Sequence, residues 1–262
     1  MKNSIIKNNY FQKVIIYLFS IITIYVFAVI FSSAYNNDVI LPHPNKMILA
    51  FFELLGTGKT YIYILNTLKT LILSLLTSFA IGFTLGVLAG ICKYIKYFFK
   101  PWITIMRCLP LATLIVLIMV IVNLSITPYI VAGLILIPII YEGVLNAIIS
   151  INKEYIDVYK LSSNINIKII YRVYIPLIFS SIKAAFISAV GLGIKVLIMA
   201  EFIVGATNTL GYAIIPIIQQ VEYAKGYAYC IIIVLVVLFV EALPKLFYKI
   251  FNYLKYCRKV NF

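Results

Sequence analysis

Acidic residues are scarce in this chain: eight Asp and Glu stand against 22 Lys and Arg, and histidine occurs once. So thin a supply excludes most hydrolytic and metal chemistry, which needs paired carboxylates, a histidine cluster or a nucleophile beside a base. The four cysteines (Cys92, Cys108, Cys230 and Cys257) lie far apart, with no CxxC pair and no histidine companion. They read as apolar filler, giving neither a disulfide framework nor a metal site. No phosphate-binding loop is present either. Gly56-Thr57-Gly58-Lys59-Thr60 lacks the four-residue spacer between its glycines and follows no strand, so it reads as a turn. Charge of any sign is rare, at 11% of residues, whereas 64% are hydrophobic. A soluble domain of this length would lack the polar surface to cover itself, which leaves a polytopic membrane protein. The net charge of +14 does not indicate nucleic acid, because the basic residues sit at the ends of apolar runs.

What is there is a series of apolar runs that predicts an all-α chain with about six transmembrane helices. Lys2, Lys7 and Lys13 precede the run Val14 to Phe31. This run is longer than a signal-peptide core, so residues 1–34 read as an uncleaved first span. Residues 35–61 form an external connection in which Leu41-Pro42-His43-Pro44 is stiff and extended. Asn45 is expected to cap a short amphipathic helix through Leu55, with His43 on the surface. Residues 62–250 make the core. Span two, 62–92, carries Gly82, Gly86 and Gly90 at the four-residue spacing that lets helix backbones approach. Span three, 101–122, holds Arg107, and Pro110 is expected to kink it. Arg107 reads either as a polar group of the bundle or as a side chain snorkelling to the interface. Asn123 to Pro128 is a tight outer turn. Span four continues to Ser150 with Pro138 and Glu142, the latter an inward contact or a residue near the cytoplasmic end.

Span five, 176–205, is unusual because it contains Lys183, Lys195 and Glu201. A charge at mid-bilayer costs about 2.5–3.5 kcal/mol, so such residues face the bundle interior or water. Lys183, near the start, is placed to snorkel. Lys195 and Glu201 are six apart and therefore on different faces, so each needs its own partner or its own water. Residues 205–208 are short and polar, fit for non-helical backbone lining a cavity. Span six, 228–243, is followed by Pro244 and a basic tail at 251–262. On this layout only Lys46, Lys59 and Lys225 of the 22 basic residues fall outside, and Lys69, Arg107, Lys183 and Lys195 fall within spans. The rest gather on one side, which places both termini in the cytoplasm of a cell whose plasma or inner membrane the chain crosses.

The longest charged stretch between two spans is 151–176, INKEYIDVYKLSSNINIKIIYRVYIP. Glu154, Asp157 and Lys160 recur every third residue on one helical stripe, with Tyr155, Val158 and Tyr159 on the other side. Ser162, Ser163 and Asn164 favour a break and a fresh cap, and Pro176 opens the next span. This segment resembles the cytoplasmic signature of the permease subunits of ATP-binding-cassette importers: Glu-Ala-Ala, three residues, Gly, nine residues, Ile-x-Leu-Pro. Asp157-Val158-Tyr159 falls at Glu-Ala-Ala, Ser163 at the glycine, and Val173, Ile175 and Pro176 at the close. The acid, the spacing and the proline agree, while the alanines and the glycine do not. Three further stretches resemble the subgroup that handles sulfonates, nitrate, taurine or thiamine precursors. They are LPHPNKMILAFFELLGTGK, MRCLPLA with Arg107 and Pro110, and Lys195 to Glu201 followed by Leu210-Gly211-Tyr212.

The resemblance implies a type I importer permease bundle that works by alternating access. It implies a second permease copy, most simply a homodimer, embedded in membrane lipid. An ATPase subunit would hydrolyse the ATP, and an external or periplasmic solute-binding protein would deliver substrate. This chain would bind no cofactor of its own. Glu154, Asp157, Val158, Tyr159, Lys160, Ser163 and Pro176 would couple it to the ATPase. Arg107, Pro110, Lys195, Glu201, Gly205 and Gly211 would belong to the pathway, with Lys195 attracting an anionic group. Packing the bundle is the other reading of Lys195 and Glu201. A secondary transporter or channel working without an ATPase is the alternative class; no catalytic or metal-ligating residues are expected.

Overall fold

The computed structural model describes residues 2–35, 41–152 and 174–260. The expected coupling residues Glu154, Asp157, Val158, Tyr159, Lys160 and Ser163 lie outside the described residues. Among those described the chain is helical, with no strand: α1 (Lys2–Tyr35), α2 (Pro44–Leu55), α3 (Gly58–Ile91), α4 (Lys93–Cys108), α5 (Leu111–Ile121), α6 (Thr127–Ile149), α7 (Ile175–Val204), α8 (Leu210–Gln219) and α9 (Tyr223–Val260). Five helices are long and apolar enough to cross a membrane, and the bent pair α4 and α5 makes a sixth if counted as one span. The fold is therefore the all-α, multi-span bundle that the apolar runs predict.

The chain divides into two compact units, Met1–Gly58 with Pro216–Ile232, and Lys59–Ile215 with Ile233–Phe262. In the first, α2 begins two residues earlier than expected. Pro44, with its preset φ, occupies the first helical turn, which makes His43 the cap. The His43 imidazole accepts from the Asn45 backbone N–H at 3.4 Å, while Asn45 Oδ1 accepts from the Tyr25 hydroxyl at 2.9 Å. Asn45 is thus not the cap. At the far end of this unit Lys225 lies 3.0 Å from Glu222 and 3.5 Å from Glu53, beside a cavity of about 580 Å³.

The second unit is built on close backbone approach. Gly82, Gly86 and Gly90 of α3 face Ile140, Val144 and Ile148 of α6, one pair per turn. A β-carbon at Gly86 would stand 2.9 Å from both the Tyr141 carbonyl oxygen and Val144 Cβ, closer than atoms approach. Lipid tails are as apolar as leucine, so tight packing, not hydrophobicity, has to hold these helices together. The core runs through Leu71 and Leu75 of α3, Leu136, Ile140 and Val144 of α6, Ala189, Ile194 and Leu197 of α7, and Val240 of α9. A second cluster joins Leu114 and Ile115 of α5 to Val131, Val196 and Ala200. Along α3 the buried polar residues Thr60, Thr67 and Ser74 recur every seven positions, followed by Ser78, whose hydroxyl donates to the Gly133 carbonyl at 3.3 Å.

Two expected spans differ from the observed ones. Span three is not a kinked helix but two helices bent by 101° at Leu109-Pro110. Leu109 is driven into the extended region (ψ 127°) by the proline that follows, and Pro110 then serves as the N-cap of α5. The last span starts at Tyr223 and does not stop before Pro244; α9 continues through that proline.

Gly86→Leu should lower the thermal midpoint of the detergent-solubilised protein by an amount corresponding to roughly 1–3 kcal/mol, the usual cost of overpacking. Gly58→Ala, where nothing lies within 4 Å, should leave it unchanged. Differential scanning fluorimetry of the two variants checks the contrast.

Candidate functional site

The long helix α7 positions the polar groups of the bundle. Pro176 sits in its first turn, where a missing N–H costs nothing, and the remaining 30-residue helix runs without a break to Val204. From Ala184 to Met199 its exposed positions are Ala184, Ser188, Leu192, Lys195 and Met199, spaced by three or four and so on one face. Half-buried Ser181, Ala185 and Gly191 flank that face. A lipid-facing helix exposes large apolar side chains, as α1 does with Ile16, Tyr17, Phe19 and Phe27. The face of α7 is mixed: Ala184, Ser188 and Lys195 share it with two large apolar residues, Leu192 and Met199.

Two cavities lie along it and share Ser188. One, about 440 Å³, is lined by Arg107 of α4, Glu142 and Asn146 of α6, and Ser181 and Ser188 of α7. The other, about 430 Å³, is lined by Ser188, Gly191 and Lys195 of α7 with Glu241 and Lys245 of α9. Each is spanned by an ion pair. Arg107 bonds the Glu142 carboxylate, and Lys195 lies 2.6 Å from that of Glu241. Glu241 lies over Gly191, where a β-carbon would already stand 3.3 Å from the carboxylate oxygen, so the glycine leaves room for it. Lys183, near the start of α7, sits over the rings of Phe179 (3.9 Å) and Tyr248 (4.3 Å), a cation–π arrangement.

The remaining expected site residues fall at the C-terminal end of α7. Glu201 is 1% exposed and lines neither cavity. Its Oε2 accepts from the Thr67 hydroxyl at 2.9 Å and from the Gly211 backbone N–H at 3.2 Å. Gly205, at φ 71°, ends α7 in the left-handed conformation, and its N–H returns to the last turn. Gly211 is pressed so closely on α7 that a β-carbon would stand 2.5 Å from the Ile198 carbonyl. Pro110 breaks α4 from α5. The structure thus brings Arg107 and Lys195 to one face of the bundle and separates Glu201, Gly205 and Gly211 from them.

Sequence reasoning missed Glu241 as the Lys195 partner, and missed Asn146, Ser188, Lys245 and Thr67. Partners on separate helices leave no spacing to read. The heptad Ser181, Ser188, Lys195 is the one local signal that could have marked the polar face.

A multi-span helical bundle with two charge-paired cavities along one helix has the character of a solute permease. Residues 82–253 match the family of binding-protein-dependent transport system inner membrane components, and the chain belongs to that family. The match runs from the first glycine of the α3 stripe into α9 and so includes all four residues of the two ion pairs. No curated protein sequence matches the chain. Membership makes it a membrane permease component of binding-protein-dependent transport, a class that works with a separate ATPase and a solute-binding protein and is generally not enzymatic.

If the Lys195–Glu241 pair is what tolerates charge on this face, Lys195→Met alone should strand the carboxylate and lower the thermal midpoint. Adding Glu241→Gln should recover most of the loss. Thermal unfolding of the single and double variants in the same detergent checks this; equal midpoints would mean the pair contributes nothing.

Proposed function

We propose that the chain is half of an importer pathway, and that the exposed face of α7 is the surface past which solute moves. The observation that carries this reading is the concentration of partly exposed charge on that face. Arg107, Glu142, Lys195 and Glu241 are all accessible, and charge within a membrane span is tolerated only beside protein or water. A second copy of the chain, set against this face, would shield it from lipid and enclose the water. The pairing of Lys195 with Glu241 also alters the expectation drawn from sequence. The ammonium is not a free anion site, and a passing solute meets groups of both signs.

The orientation follows from the distribution of basic residues, with both termini and the 151–174 segment in the cytoplasm. There the helix 154–163 would sit in a groove of the ATPase subunit. Asp157 would make the charged contact, Tyr159 would insert as the apolar knob, and Glu154, Val158, Lys160 and Ser163 would complete the surface. Pro176 would fix the angle at which α7 leaves it, so that movement of the ATPase reaches the polar face through one rigid helix. The substrate class this reading favours is the small sulfonate, taurine, nitrate or heterocyclic thiamine precursor. It rests on the resemblances around Pro42, Arg107 and Glu201, and the binding protein would make the final selection.

Asp157→Lys and Tyr159→Asp should each leave the protein inserted but abolish ATP-driven uptake in vesicles holding the permease with its ATPase. Uptake at the unsubstituted rate by both variants would remove the segment from coupling.

A further inference from the structure

One carboxylate in the bundle is not used by the polar face, and its surroundings are more specific than packing requires. Glu201 sits about 38 Å along α7 from Pro176, at the end remote from the 151–174 segment. Two elements, α3 and α8, converge on it. Thr67 of α3 donates to Glu201 Oε2 and, through the same hydroxyl, accepts from the Leu210 N–H at 3.0 Å. Gly211, the next residue of α8, donates to the same carboxylate oxygen. One turn away from these bonds, Asn66 donates to the Asn208 carbonyl at 2.9 Å. The first N–H groups of α8, which no helix can satisfy internally, are therefore capped from two other helices. The positive end of α8 also faces the carboxylate. Gly211 allows this because any side chain there would collide with Ile198, Phe202 and Glu201.

The other carboxylate oxygen, Oε1, is buried without a hydrogen-bond partner. The Thr209 hydroxyl on the same loop donates to the Ala206 carbonyl. A permanent structural rivet would be expected to satisfy both oxygens, since an orphaned buried acceptor is costly. Here the closed arrangement carries a cost that water removes as soon as the loop lifts. Strong bonds on one oxygen and none on the other make a contact that holds and also releases.

We propose that Glu201 and Thr67 form a releasable latch that seals this end of the bundle, holding the 205–209 loop and the first turn of α8 against α3 and α7. Glu201 is then a positioning residue for transport and not a solute ligand. The proposal rests on the permease reading above, in which one end of the pathway must close while the other opens. Because Thr67 lies on α3 and Glu201 on α7, a small displacement between those two helices breaks the bond between them.

The test uses the full chain with its four cysteines replaced by serine, carrying Ala213→Cys, a position in the first turn of α8 that is 2% exposed. It is reconstituted with the ATPase subunit and probed with a membrane-impermeant maleimide without ATP. Thr67→Val and Glu201→Ala should each raise the labelling rate about tenfold, the population change that one lost hydrogen bond to a charged group supports. Glu201→Gln, which keeps an acceptor but loses the charge, should fall between the parent and Glu201→Ala. A parallel chain with Ala132→Cys, likewise buried but in the central core, should not change. Unaltered labelling at Ala213→Cys, or an equal rise at Ala132→Cys, would overturn the latch. ATP-driven uptake by the otherwise unsubstituted protein in the same vesicles, supplied with its solute-binding protein, tests the permease reading separately. Its absence would overturn that reading whatever the labelling shows.

Discussion

Hydrocarbon leaves a charged side chain two choices, a partner or water, and this bundle is arranged around that constraint. Arg107 reaches from α4 to Glu142 on α6, Lys195 from α7 to Glu241 on α9, and Glu201 from α7 to Thr67 on α3. Each contact joins helices far apart in sequence. A neutral bundle of the same helices could slide or rotate at little cost, because leucine against lipid and leucine against leucine differ little. Polar pairing removes that freedom and fixes which face of each helix looks inward.

Packing and charge divide the work by position along α3. Its second half, from Gly82, meets α6 backbone to backbone, and the close fit leaves no cavity for solute between the two. Its first half instead presents buried hydroxyls, among them that of Thr67, which bonds both Glu201 and the Leu210 N–H. The same division recurs on α7. Ala189, Ile194 and Leu197 enter the core, while Ser188 and Lys195 lie opposite them on the exposed face. One helix thus both enters the core and bears the exposed face along which we propose that solute moves.

Much of the fold was legible because apolar runs and prolines act locally. The number of spans, the glycine stripe and the start of α7 at Pro176 all follow from residues within a turn or two of one another. The polar face was legible only in part. Lys195 stood out as a charge in a span, but its partner Glu241 lies 46 positions on, in a helix whose rotation about its axis no periodicity fixes. Glu201 was visible as a buried acid, yet its attachment to Thr67 depends on where α3 crosses α7. Local signals also misled twice. Asn45 has the chemistry of a helix cap, but Pro44 took the first helical position and moved the cap to His43. Pro110 was expected to bend one helix, whereas its effect on Leu109 separated two.

That separation has a consequence for the bilayer itself. α5 has 11 residues, about 16 Å of helix, roughly half the thickness of the hydrocarbon layer. With α5 standing along the normal, α4 turns through a right angle into the interfacial plane. There its lysines (Lys93, Lys96, Lys100) and exposed Tyr94, Tyr97 and Trp102 match the headgroup region. The column beneath α5 then lacks a helix of this span to fill it. Lipid tails are poor company for Arg107 and Glu142, so the short α5 leaves this exposed ion pair a place where water, and not hydrocarbon, is the favoured neighbour.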